Sequence, residues 1–186
     1  MEVQLTRRLF SVDEYLKMID VGILGRADHV ELIDGDILQM APIGPSHASC
    51  VTMLTRRLVI GVGDRGLVAP QLTLPLDARS APEPDLTVLR PREVPYRETW
   101  ALPRDVLLLI EVSDTSPRHD REVKLPLYAR AGIQELWIVD VAGERVLVHR
   151  EPHDAGYAAM RAHGRDATVA PLAFPDLHVS VEEIFR

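Results

Sequence analysis

The stretch "VLLLIEVSD", Val106–Asp114, sets five consecutive apolar residues against a glutamate. Leu107 and Leu109 alternate with Val106, Leu108 and Ile110, so both faces of an extended segment would be apolar there. A strand buried on both faces belongs in the middle of a sheet covered by helices. The same alternation puts Leu107, Leu109, Glu111 and Ser113 on one face, with Glu111 where that face turns polar. A carboxylate in that position is expensive to desolvate unless it is paired or holds a metal. Carboxyl ends of central strands are also where open α/β sheets gather their ligand sites.

Outward from this strand, helix and sheet signals alternate. Upstream, "APEPDLTVL" predicts a short strand over 85–89 after a proline-stiffened approach. As the antiparallel neighbour of 105–112, its start would meet the other strand's end and bring Asp85 to Glu111. Two carboxylates converging at a sheet edge serve general acid–base work or bind a hard divalent cation such as Mg²⁺. A nearby lysine favours the second use. The segment 90–104, "RPREVPYRETWALPR", reads as an irregular surface loop, and "GLVAPQLTLPLDA" before it as an extended strand whose prolines suit an edge.

Nearer the start, Val51, Leu54, Leu58 and Val62 recur at helical spacing and predict a helix over 46–61. Asp34-Gly35 between two apolar runs predicts a hairpin with strands at 29–33 and 36–40. Ser11 followed by Glu14 is a capping-box pattern that opens a short helix. Downstream, Ser116-Pro117 suits a helix start, the helix ends near Gly132, and Pro126 inside it is expected to cause a kink. "IQELWIVD" predicts a strand and "VAGERVLVHR" its hairpin partner. Shorter, weaker strand signals and a final helical turn, "SVEEIF", complete the chain. The order implies an α/β (α+β) fold, with a central mixed β-sheet flanked by helices, in a single domain over 1–186.

Composition narrows the function classes. A net charge of −7 and a pI of about 5.5 argue against coating nucleic acid by bulk electrostatics, but not against an enzyme that touches it locally. The single cysteine, Cys50, rules out an internal disulfide. "MEVQLTRRLF" lacks the apolar stretch of a secretory signal, and no apolar run approaches the roughly 20 residues that span a bilayer. These features lead to the expectation of a cytoplasmic protein with no membrane partner.

The ordered motifs "ELIDG" (31–35), His47 leading a helix, Pro84-Asp85, Glu111 to Pro117 ("EVSDTSP"), Lys124 with Tyr128, and "GIQELWIVD" (132–140) resemble the Uma-type endonucleases. That family is a bacterial branch of the restriction-endonuclease-like PD-(D/E)xK nucleases, and the resemblance covers roughly residues 10 to 150. One departure from the superfamily pattern is that Ser113 stands where a lysine is expected two residues after the glutamate. The branch uses a lysine moved to the following helix, here Lys124. The resemblance implies a restriction-endonuclease-like core and a metal-dependent nuclease acting on nucleic acid, with DNA the expected substrate. Asp85, Glu111 and the Val112 carbonyl would ligate Mg²⁺ or Mn²⁺, Lys124 would position the attacking water, and Glu31 would be a further carboxylate of the site. A homodimer is expected for cutting two strands.

Plainer readings stand beside these. Glu111 could pair with an arginine, Asp85 could merely start a strand, and Lys124 could be a solvated helix lysine with Asp120 as its surface partner. Glu31 could only flank the Asp34-Gly35 turn, and His47 reads as a helix-start residue more readily than as a catalyst. Trp137 reads as core packing, Asp140 as the end of a strand, and Arg90, Arg92, Arg97 and Arg104 as solvated loop arginines or phosphate contacts. Two other functions remain open: an inactive module that binds nucleic acid or protein on the same scaffold, and a metal-dependent hydrolase of another phosphate ester.

Overall fold

The strand β5, Val106–Ser113, is the third of six in a mixed sheet of order β3-β4-β5-β6-β7-β8. The computed structural model describes residues 7–114 and 120–186. The expected helix start at Ser116-Pro117 lies outside the described residues. On one side of β5 lies β4, Leu86–Leu89, with β3, Leu67–Pro70, at the edge. On the other side lie β6, Glu135–Asp140, β7, Arg145–His153, and β8, Gly156–His163. The β5–β6 pair is parallel and the other pairs are antiparallel.

The double-sided apolar pattern of β5 is used as its sequence implies. Leu108, Ile110 and Val112 join Trp137 and Val139 of β6 under the helix α2, Pro45–Val62. That helix buries Cys50, Leu54, Leu58 and Val62, one residue per turn, and each large apolar side chain contributes about 1.5–3 kcal/mol. The short C-terminal helix, Val181–Ile184, covers the same face, where the two-stranded pair β9, Thr168–Val169, and β10, Val179–Ser180, also adds to the core. On the opposite face Leu109, Leu136 and Ile138 pack with Tyr128 of α3, Leu125–Arg130. Trp137 is fully buried in this core, as its strand position suggests.

A wide, π-type turn, Asp120–Lys124, leads into α3. Pro126 therefore falls in the first turn of the regular helix, where its missing N–H costs little. The expected kink takes the form of a change in helix type. Gly132, at φ +79°, ends the helix as anticipated, and the Ile133 N–H donates to the Tyr128 carbonyl.

The first helix, α1, Val12–Asp20, begins at a capping box: the Ser11 hydroxyl accepts from the Glu14 N–H, and the Glu14 carboxylate accepts from the Ser11 N–H. Strands β1, Val30–Ile33, and β2, Asp36–Gln39, form a hairpin in a sheet of their own. Asp34 and Gly35 both take positive φ, as a tight two-residue turn requires. The hairpin packs on α1 through Leu32, Val12 and Tyr15, and it is tied to the connection before β4 by the mutual Leu32–Ala81 backbone bonds.

Two strand expectations change. Of "GLVAPQLTLPLDA", only Leu67–Pro70 is a strand, because Gln71 turns into the left-handed region (φ +47°) and the chain leaves the sheet. In the C-terminal third, by contrast, β8 runs for eight residues with a register continuous enough to pair most of β7. Its signal is weak in sequence because an outer edge strand alternates small and polar residues against water.

Candidate active site

Asp85 immediately precedes β4, and the antiparallel register pairs Leu86 with Ile110, which sets Asp85 beside Glu111. The Val112 N–H donates to Asp85 Oδ2 at 2.7 Å, so the carboxylate extends the ladder where the strand ends. Nε2 of His47, in the first turn of α2, lies 3.0 Å from Asp85 Oδ1. Each oxygen of Asp85 is thus held by a different element, one by a strand amide and the other by a helix side chain.

Glu111 is equally fixed. It is 3% exposed, and its Oε1 accepts from the Tyr128 hydroxyl at 2.6 Å. Lys124 reaches the same oxygen, with Nζ at 3.3 Å, and Glu31 Oε2 at 3.0 Å. The helix after β5 therefore returns the lysine to the strand end. Lys124 and Tyr128 come from successive helical turns, which is why both meet one carboxylate. Lys124 is buried, so the solvated-lysine reading does not hold. The flanking-turn reading of Glu31 also fails, because alternation in β1 sends Leu32 to the α1 core and Glu31 the other way, into a buried ion pair. His47 does start a helix, and it is also a partner of Asp85.

Glu31, His47, Asp85, Glu111 and Lys124 line one cleft of about 400 Å³. Its wall carries five carboxylates, Glu31, Glu83, Asp85, Glu111 and Asp114, with Lys124, His29 and His47 as the basic groups. Neighbouring groups register this surplus of negative charge. Burial, and then the Glu83 and Glu31 carboxylates, push the Tyr15 phenol up to about 12. Burial, and then Asp114, push the Cys50 thiol up to about 11. Sequence reasoning missed Glu83, Asp114 and the Tyr128–Glu111 bond. The first two stand next to the motif residues, in "PEPD" and "EVSD", and that adjacency was a usable signal.

Hard oxygen donors around a solvent-open cleft fit Mg²⁺ or Mn²⁺ better than a softer metal. Among the described residues no three His, Cys, Asp or Glu side chains stand close enough to enclose an ion by themselves. Two carboxylates and a backbone carbonyl, with water completing the shell, is the donor set that a Mg²⁺ site uses.

Other candidates prove structural. Asp140 ends β6, and it accepts from the Gly143 N–H and from Arg145, closing the turn to β7. Arg92 is spent on Asp105, Thr99 and the face of Tyr96.

Residues 12–182 match a family model described as "Uma2: Putative restriction endonuclease". The chain belongs to the Uma2 family. Membership supports a nuclease, and hence a hydrolase that binds nucleic acid. The fold has a counterpart in the crystal structure of a putative nuclease belonging to DUF820 from Anabaena variabilis. It superposes with a TM-score of 0.74 at 19% identity, over 95% of this chain and 97% of that one. At that identity the likeness shows the fold, here a restriction-endonuclease-like core. No curated protein matches the chain. Among the described residues of this Uma2 chain, no helix is long and apolar enough to cross a membrane.

Proposed function

We propose that this Uma2 chain is a metal-dependent nuclease that hydrolyses phosphodiester bonds of DNA. The observation that carries this reading is the convergence of Asp85, Glu111, Lys124 and Glu31, from four separate elements, on one cleft. Asp85, Glu111 and the Val112 carbonyl are the proposed ligands of Mg²⁺ or Mn²⁺. When bound, the ion supplies Lewis acidity, which makes water a better nucleophile and offsets the charge that builds on the phosphoryl oxygens.

The chain's own residues do the positioning. Lys124, held between two carboxylates, orients the attacking water by donating a hydrogen bond from a fixed ammonium. Glu31 holds that ammonium in place. Tyr128 fixes the plane of Glu111, while His47 and the Val112 amide fix that of Asp85. This set is intact, which favours an enzyme over an inactive binding module. A two-fold dimer would present two such sites to the two strands of a duplex.

Calorimetric titration with Mn²⁺ tests the reading, run on the wild type, Asp85→Ala and Glu111→Ala beside cleavage of plasmid DNA. Saturable binding and cleavage in the wild type alone, with all three proteins folded, is the expected result. Equal heats in all three, with and without DNA, would sink it and move the binding module ahead.

A further inference from the structure

The same cleft also has an apolar lining. Between β2 and α2 the chain runs as a strap, "MAPIG", residues 40–44, all of which line the cleft. Ala41 and Pro42 are exposed, and Ile43 is 49% exposed. Among the described residues, none of Met40, Pro42 and Ile43 joins a hydrophobic cluster, although Ile37 of the preceding strand does. The strap is pinned at both ends, by the Met40 N–H on the His29 carbonyl and by the Gly44 carbonyl accepting from Ala48. Its last residue closes on the carboxylate wall, since a Cβ on Gly44 would lie 3.5 Å from Asp114 Oδ2. These apolar side chains do not stabilise the core, and they are held at the mouth of a polar cleft. An exposed apolar group in such a place is informative in a way that a scattered one is not.

Resting on the nuclease reading above, we infer that this strap is the surface on which the sugar and base next to the scissile phosphate pack, with Ile43 as the principal contact. A nucleotide carries an anionic part and an apolar part within a few ångströms of each other. With its phosphate at the carboxylates, its sugar and base have the strap beside them on the same cleft. The charge balance favours such a contact. A chain of net charge −7 with five carboxylates in its cleft draws little on bulk phosphate attraction, so non-ionic packing adds affinity for a polyanion beyond what a bound cation would supply. Apolar side chains set against base steps supply that kind of affinity in other nucleic-acid complexes. The substrate is accordingly a polynucleotide, selected over a small phosphodiester that has no base.

The test compares Ile43→Ser and Ile43→Val with the wild type, all as full chains with Mn²⁺. Two substrates are used: an oligonucleotide, and methyl 4-nitrophenyl phosphate, which carries no nucleobase. Because Ile43 is exposed, neither change threatens the fold. The expected result for Ile43→Ser is a KM for the oligonucleotide raised about tenfold, the effect of losing one buried side chain. Its kcat, its Mn²⁺ binding and its rate on the small ester should stay at wild-type values, and Ile43→Val should stay near wild type throughout. Unchanged oligonucleotide kinetics in Ile43→Ser would overturn the strap's role and leave the nuclease reading standing. Equal losses on both substrates would also overturn it, since they indicate a disturbed site. A wild type that binds no Mn²⁺ and cleaves neither substrate would bring down both readings.

Discussion

Two glutamates sit on adjacent central strands, three residues apart in register, each next to an apolar run, and both are buried. Glu135 begins β6 and Glu111 lies near the end of β5. Their exposures are 1% and 3%, so burial does not separate them. Their partners do. Glu135 accepts from the Trp137 indole, from two nitrogens of Arg150 and from the Leu172 N–H, and these bonds anchor the C-terminal segment to the sheet. Glu111 is held by a lysine that it shares with a second carboxylate, and it faces a cleft lined by three more. A buried carboxylate met by enough donors is a structural tie. One that shares a single lysine with a second carboxylate, on a cleft that carries three more, is where the proposed nuclease reading sets its cation.

The largest effect that could break this contrast is catalytic. Glu111→Ala should lower DNA turnover by about a thousandfold, with little change in the circular dichroism spectrum. An active Glu111→Ala would make the two glutamates equivalent. The next effect is on stability. Glu135→Ala takes the carboxylate from the Trp137 indole, from Arg150, which keeps the Ala170 carbonyl, and from the Leu172 amide, and should cost about 2–3 kcal/mol in urea unfolding. Turnover per folded molecule should not change. Lys124→Met sharpens the comparison from the other side, because it leaves Glu31 and Glu111 facing each other with no cation between them. Turnover should drop about a hundredfold, and added Mn²⁺ should raise the melting temperature more than it does in the wild type. The smallest effect is expected for Tyr128→Phe. Loss of one bond to a charged oxygen should lower turnover about tenfold and leave Mn²⁺ stoichiometry intact.

Much of the contrast could be read before any coordinates. Local patterns announced β5, the tight hairpin turn at Asp34-Gly35, the long helix and its buried stripe, and the strand that begins after Asp85. The meeting of Asp85 with Glu111 followed once the two strands were taken as antiparallel neighbours, and the β4–β5 register has them so. What stayed hidden depends on how elements pack. The side of β1 that Glu31 faces is decided by where α1 lies, and the partner of His47 by how α2 crosses the sheet. The meeting of Tyr128 and Lys124 on one oxygen depends on a wide turn that no residue type signals. For β3, a left-handed residue at Gln71 ended the strand, and pattern cannot reveal that because the residue is not a glycine.

Glu31 reaches the site from outside the main sheet. It rides on a two-stranded hairpin with its own small apolar cluster, joined to the rest through Ala81, Ser80 and Arg79. The site is therefore completed across a seam between two packing units of unequal strength. Local opening of the weaker unit would withdraw Glu31 from Lys124 while the six strands stayed paired. Inactivation on warming should then run ahead of melting, so that catalytic lifetime follows the adhesion of a hairpin more closely than the strength of the sheet.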